Sequence, residues 1–271
     1  MIAGTHASNA GFEESLVVSA LEAALSLPQP MPVFAISGLQ GSGKSTLAAQ
    51  IAALADTRGH RVAVLSIDDF YLRKDQRLQL AREVHPLLAT RGPPGTHDLG
   101  LALETIGSLR DGRPTRLPRF DKLADEREPA ARWLSMERRC DFVLLEGWFL
   151  KTPPQSPDDL LQPINALERD EDPDGSWRRW CNKALADDYP RLWQTIDALW
   201  FLQGPDFDVV PEWRWQQEQS LQASDPERVA MSRLQVERFV QLFERVSRQA
   251  LCTLPTIADK TVALDEQRRP L

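Results

Sequence analysis

Only three cysteines, Cys140, Cys181 and Cys252, occur in 271 residues, and no two of them form a Cys-x-x-Cys pair. This scarcity argues against a disulfide framework or a cysteine-based zinc site and predicts reduced thiols in a cytoplasmic protein. No apolar run approaches the ~20 residues that a membrane-spanning helix needs, so no membrane association is expected. The opening stretch MIAGTHASNAGFEES has neither a basic nor an apolar segment and is not expected to act as a secretory signal. Positive charge is also in short supply. With 32 Lys and Arg against 39 Asp and Glu, the formal charge is −7. A protein that binds a polyanion needs clustered cations to displace counterions, so nucleic acid is not an expected partner. A pocket for a single phosphate group needs far fewer cations and stays open. Nothing in the pattern identifies a protein partner.

What is present is ordinary globular material. Hydrophobic residues make up 42% and charged residues 26%, enough to bury a core without metal or disulfide staples. Residues 12–27 (FEESLVVSALEAALSL) carry apolar side chains at helical spacing. Three short apolar runs, PVFAISG, RVAVLSI and DFVLLEG, read as buried strands, TIDALWFLQG reads as a fourth strand, and KTVALDE near the end is a candidate fifth. Helical stretches lie between them at residues 46–60, 73–91 and 99–112. Strands alternating with helices predict an α/β fold: a parallel central sheet covered by helices on both faces, with a helical elaboration. A single domain over residues 1–271 is expected, with an N-terminal helical extension at 1–30 and a Pro- and Asp-rich surface excursion at 151–176. The eight tryptophans read as core and helix packing rather than as a binding cage.

The sharpest signal is Gly38-Leu39-Gln40-Gly41-Ser42-Gly43-Lys44-Ser45, followed by Thr46, which fits G-x-x-x-x-G-K-[ST] between an apolar strand and a helix. This P-loop predicts an NTPase fold that binds ATP with Mg²⁺. Gly38, Gly41, Ser42 and Gly43 let the backbone curl so that its N–H groups face phosphate oxygens. Lys44 is placed to reach the β- and γ-phosphates, and the Ser45 hydroxyl can ligate Mg²⁺. Thr46 sits in the first turn of the helix, whose positive end faces the anion.

Phosphoryl transfer also needs a second anchor for Mg²⁺ and a group that orients the nucleophile. Glu146 ends the strand DFVLLEG, and a carboxylate there faces the crevice where open α/β sheets bind ligands. Asp68 and Asp69 end the second strand. Neighbouring carboxylates repel, so a purely structural turn has little reason to hold both. One could take the proton of a substrate hydroxyl while the other supports the metal or caps the next helix. The guanine-reading pattern Asn-Lys-x-Asp has one near match, Asn182-Lys183-Ala184-Leu185, which lacks the aspartate, so a GTPase is not expected. The acidic balance disfavours a motor or nucleic-acid ATPase. A small-molecule kinase fits best, and a regulatory ATP-binding module is the rival from another class.

The segments GLQGSGKST, SIDDFYL, RGPPGTHDL, LPRFDK, LLEGWFL and WRWQQE, in this order, resemble the plant-type D-glycerate 3-kinase family. That family lies within the group of P-loop kinases containing phosphoribulokinase, uridine kinase and pantothenate kinase. The resemblance implies ATP- and Mg²⁺-dependent phosphorylation of D-glycerate to 3-phosphoglycerate. It implies Asp68 as catalytic base, Asp69 as substrate or metal support, Tyr71 near the substrate, and His97 and Asp98 on a substrate-facing loop. Arg91, Arg119, Lys122 and Arg127 would supply cations for the glycerate carboxylate or the moving phosphate. Arg214, between Trp213 and Trp215, would lie near the nucleotide. One segment departs from the family pattern: after Asp121-Lys122 a Ser- and Gly-rich run is expected, and the chain reads LADEREPA, keeping only Arg127. A different hydroxy acid, polyol, nucleoside or sugar phosphate is the alternative acceptor.

Overall fold

The computed structural model describes residues 11–224 and 230–271, so residues 1–10 of the expected N-terminal extension lie outside the described residues. Along the chain come α1 (Glu14–Leu25), β1 (Val33–Gly38), α2 (Lys44–Thr57) and β2 (Val62–Ser66). After α3 (Lys74–Glu83) and α4 (Leu99–Arg110) lie four short strands, β3 (Thr115–Leu117), β4 (Phe120–Asp121), β5 (Glu126–Arg127) and β6 (Leu134–Met136). Then follow β7 (Phe142–Gly147), α5 (Ala166–Glu171), α6 (Ser176–Asp187), α7 (Pro190–Trp193) and β8 (Ala198–Gln203). The chain closes with α8 (Val210–Ser224), α9 (Arg233–Ile257) and β9 (Lys260–Ala263).

Five strands form one parallel sheet in the order β2-β7-β1-β8-β9. Each of the five apolar runs supplies one of them. Their period-two geometry sends alternate side chains to opposite faces. Phe34, Ile36, Phe142, Leu144 and Trp200 pack with α1 and α2 through Val17, Leu21, Leu47 and Ile51. Val33, Ala35, Val143, Leu145, Leu199 and Phe201 pack with α4, α6 and α9. Helices therefore cover both faces. The chain leaves β1 in one direction towards β2, and β8 lies on the other side of β1, so the crevice at this reversal opens beside the carboxyl end of β1.

The helix expected over residues 73–91 is split. α3 ends at Glu83, and Pro86 starts a separate 3₁₀ turn over Pro86–Ala89. Pro86 disfavours the helical region for its predecessor, and His85 is extended (φ −160°, ψ 136°). Residues 12 onward are tied down rather than loosely appended. The Phe12 N–H donates to Gln50 Oε1 at 2.9 Å, and Gln50 Nε2 returns a bond to the Phe12 carbonyl at 2.9 Å. The Pro- and Asp-rich stretch is held by buried arginines of α6 and α9. Arg178 binds Asp172 and the Leu160 carbonyl, while Arg245 binds Glu168, the Asp159 carbonyl and the Gln162 carbonyl. Strands β3 and β6, and β4 and β5, form two small antiparallel ladders that the apolar pattern did not reveal.

Candidate active site

The phosphate loop sits at the end of β1, where Gly41 (φ 80°) and Gly43 (φ 91°) take left-handed conformations. A Cβ on Gly41 would lie 2.7 Å from the Cβ of Trp213, so helix α8 is packed against the bare backbone of the loop. Lys44 is buried, and among the described residues its ammonium makes one hydrogen bond, to the Leu39 carbonyl at 3.2 Å. Its other two N–H groups stay available. Burial pulls the Lys44 pKa down, opposed by the charges of Glu146 and Asp68, with Lys122 adding to the lowering. Ser42 Oγ is buried without a protein partner among the described residues. The Ser45 hydroxyl donates to Glu146 Oε1 at 3.2 Å.

This donor set fits an ATP polyphosphate with Mg²⁺. Among the described residues no cluster of three or more His, Cys, Asp or Glu could hold a metal by itself. Mg²⁺ needs no such cage, because it commonly takes one or two protein oxygens and completes its octahedron with phosphate oxygens and water. Ser45 and Glu146 are the residues that would hold it.

Beyond β2 the chain turns through Ile67–Phe70 as a 3₁₀ turn capped by Ser66, whose Oγ accepts from the Asp68 N–H at 3.3 Å. Neither aspartate caps a helix here. Asp68 faces the loop lysine electrostatically and is paired with Lys122, with Nζ 2.7 Å from Oδ2. Tyr71 lies close enough to Asp68 to act on its carboxyl. Burial pushes the Asp68 carboxyl up, but the Lys122 charge and hydrogen bond, with Tyr71 and His97 adding, hold it below the usual carboxylate range. Asp69 points elsewhere: Oδ2 takes Arg119 Nη1 at 2.6 Å and Oδ1 takes the Phe120 N–H at 3.2 Å. Burial raises its carboxyl, and Arg119 works against that rise.

Every residue named between Asp68 and Arg127 converges here, mostly as pairs. Asp98 caps α4, accepting from the Leu101 N–H at 3.0 Å, and its other oxygen takes Arg127 Nη2 at 2.9 Å. Arg127 also binds the Tyr71 carbonyl at 2.9 Å. Arg91 binds Asp125 at 2.5 Å and the Lys122 carbonyl at 3.0 Å. His97 is buried against Tyr71, with ring centroids 4.9 Å apart, and the two residues form an isolated antiparallel bridge. Lys122 is the most solvent-accessible of the four cations, its side chain 58% exposed against 34% for Arg119, 24% for Arg91 and 11% for Arg127. The departing segment LADEREPA forms the turn and second strand of the β4–β5 hairpin, with Asp125 left-handed (φ 53°).

Arg214 stands apart from that cluster, on α8 beside the phosphate loop, paired with Glu218 at 2.9 Å. Three contributors escape any reading of local pattern. Arg268, from the segment after β9, donates through Nε to the Gly41 carbonyl at 2.6 Å and lies over the Trp213 ring. Arg77, almost fully buried, ties the Leu72, Ala89 and Asp125 carbonyls together beneath the hairpin. Tyr189 reaches His97 from the far side. No motif marks any of the three, since Arg268 and Tyr189 act across 227 and 92 residues and Arg77 joins segments up to 48 residues apart.

Similarity to known proteins runs along most of the chain. No family model matches it. It is 30% identical over 266 residues to an uncharacterized kinase of Schizosaccharomyces pombe, covering 90% of this chain and 93% of that one. It is 30% identical over 262 residues to the chloroplastic D-glycerate 3-kinase of Arabidopsis thaliana, covering 89% of this chain but 54% of the plant protein, about half of its length. Among solved structures, a D-glycerate 3-kinase from Cryptococcus neoformans superposes with a TM-score of 0.76 at 26% identity, covering 95% of each chain. No helix among the described residues is long and apolar enough to cross a membrane.

Proposed function

Because the chain belongs to the family of P-loop kinases that includes the D-glycerate 3-kinases, we propose that it transfers the γ-phosphate of ATP to a hydroxyl of D-glycerate, yielding 3-phosphoglycerate. One observation carries the kinase chemistry: the P-loop Lys44 lies within electrostatic reach of two carboxylates, Asp68 in the turn after β2 and Glu146 near the end of β7. A carboxylate so placed can meet a hydroxyl between itself and the phosphate loop.

In this reading Asp68 orients the acceptor hydroxyl and takes its proton as the oxygen bonds to the γ-phosphorus. The bond to the β,γ-bridging oxygen breaks, and Lys44 with the loop amides meets the charge that develops on ADP. Mg²⁺, held by Ser45 and Glu146, would neutralise charge shared by the β- and γ-phosphates. Tyr71 and His97 form the wall beside the acceptor. Lys122, exposed and already beside Asp68, is the cation best placed to meet the glycerate carboxylate or the moving phosphoryl group. The ties Arg119–Asp69, Arg127–Asp98 and Arg91–Asp125 hold the hairpin and the 91–98 loop in register around it. Arg214 and Arg268 flank the phosphate loop on the nucleotide side. The free thiols of Cys140, Cys181 and Cys252 suit a reducing compartment such as the cytoplasm.

The experiment is ADP release from Mg-ATP with D-glycerate, run beside L-glycerate, uridine, pantothenate and ribulose 5-phosphate. Release that depends on D-glycerate, with 3-phosphoglycerate as product, supports the reading. Turnover with another acceptor alone would retain the kinase chemistry and reassign the acceptor. The hairpin segment LADEREPA, which departs from the family pattern and directly follows Lys122, the partner of Asp68, would then be the first place to look for the cause.

A further inference from the structure

The two nitrogens of the His97 ring have unlike surroundings. Nδ1 lies 2.6 Å from the Tyr189 hydroxyl, whereas Nε2 is buried with no hydrogen-bond partner among the described residues. The residue is 5% exposed, so bulk water does not serve that nitrogen. Tyr189, between α6 and α7, is fully buried and packs on Phe149 and Trp193. Its hydroxyl accepts the Gly95 N–H at 2.9 Å. Gly95 and His97 are its two polar partners among the described residues.

A phenol offers one proton and two lone pairs, and Gly95 uses one lone pair. A proton on Nδ1 would occupy the second and leave the phenolic proton stranded in a buried place. With the hydroxyl donating to Nδ1 instead, every polar group at this end is satisfied. Burial holds His97 down at about 4 against the opposing pull of Asp68, so the ring is neutral at neutral pH. Its single proton then belongs on Nε2. The ring that carries it packs on Tyr71, and the Asp68 charge acts on it.

We propose that Tyr189 is a positioning residue of the acceptor site: its hydroxyl fixes His97 as the Nε2–H tautomer and so presents the acceptor with a neutral donor beside Asp68. The proposal rests on the reading of the Asp68–Tyr71–His97 cluster as the place where the acceptor binds. A neutral donor suits a hydroxy acid there. It can hold a hydroxyl or carboxylate oxygen without pairing with Asp68, as an imidazolium would, and without weakening that carboxylate as a base.

The chain has four histidines, so ¹⁵N-labelled imidazole signals can be assigned by comparing wild type with His97→Gln. The wild type should show His97 protonated on Nε2 at neutral pH, and Tyr189→Phe should lose that preference. In the same variant, KM for the acceptor should rise about 2- to 10-fold, as for one lost neutral hydrogen bond, with KM for ATP unchanged. Wild-type protonation on Nδ1 overturns the proposal, as does a Tyr189→Phe protein with the wild-type tautomer and acceptor KM. A wild-type Nε2–H spectrum with no ADP release on D-glycerate would refute the substrate reading while supporting the tautomer. In that case the Nε2 signal must still move when whichever panel compound stimulates turnover is added, and a signal that no panel compound moves overturns the positioning role.

Discussion

Asp68→Asn separates chemistry from stability more cleanly than any other single change. A positioned general base contributes on the order of 10²–10⁴ in rate, or roughly 3–5 kcal/mol of barrier. The substitution keeps the side-chain shape and removes both charge and basicity. Its structural cost is set by the Lys122 pair, 2.7 Å long with the Lys122 side chain 58% and the Asp68 side chain 26% exposed. Water screens such a pair, so its loss should cost about 1 kcal/mol or less, a Tm change of a few degrees at most. The assay is ADP release at saturating Mg-ATP and D-glycerate, beside a thermal melt. The expected result is a fall in kcat of about 10²–10⁴ with KM for ATP and Tm nearly unchanged. A kcat close to wild type would refute the base assignment, and a Tm collapse would mean that the Lys122 pair is structural. The pH dependence supplies a second check. The Asp68 carboxyl lies below its ordinary value of 3.8, because Lys122 and Tyr71 outweigh the opposing effect of burial. A depressed carboxylate stabilises the fold above its unfolded pKa and loses that contribution only as pH falls through the folded value. Asp68 should therefore stay ionised above about pH 4, and kcat should show no acid limb from it between about pH 5 and 7.

Three further outcomes are expected. Arg245→Ala leaves the buried Glu168 carboxylate without the guanidinium that now reaches both its oxygens at 2.7 and 2.6 Å, and should destabilise the protein by about 3–5 kcal/mol in denaturant melts; a loss under ~1 kcal/mol would show the pair to be dispensable. Gly41→Ala imposes a Cβ at φ 80° and 2.7 Å from the Trp213 Cβ, so ATP affinity measured by calorimetry should drop at least about tenfold, while unchanged affinity would mean the loop relaxes freely. His97 is lowered by burial from 6.5 to about 4, so the unfolded chain takes up its proton first and stability should rise with pH across that interval, by up to about 3 kcal/mol. Urea melts at several pH values should show that slope reduced in His97→Gln, and equal slopes in the two proteins would contradict it.

Part of this architecture is legible in the order of the residues alone. The run of residues 38–45 dictates its own conformation, because glycines at the positive-φ positions and a strand and helix on either side are local properties. The inner strands β1, β7 and β8 are legible for the same reason: a strand buried on both faces must be apolar throughout, whereas the edge strands β2 and β9 are half-exposed and carry a weaker signal. Glu146 and Asp68 can be named because strand ends in a parallel sheet meet at one edge.

The tertiary structure decides what those residues touch. The adjacent acids Asp68 and Asp69 are equivalent by local pattern; the 3₁₀ turn sends one towards Lys122 and the other into Arg119. The arginines expected as free cations are tied to Asp69, Asp98 and Asp125, because a hairpin of very short strands brings acids and bases together that no periodicity connects. Arg268 reaches the phosphate loop, and Tyr189 reaches His97, over separations of 227 and 92 residues. Such contacts depend on where the sheet places whole helices and loops, which is a collective result of packing both of its faces. Local pattern determined the elements and the phosphate-loop motif, and long-range packing determined the partners and geometry of the residues around Asp68.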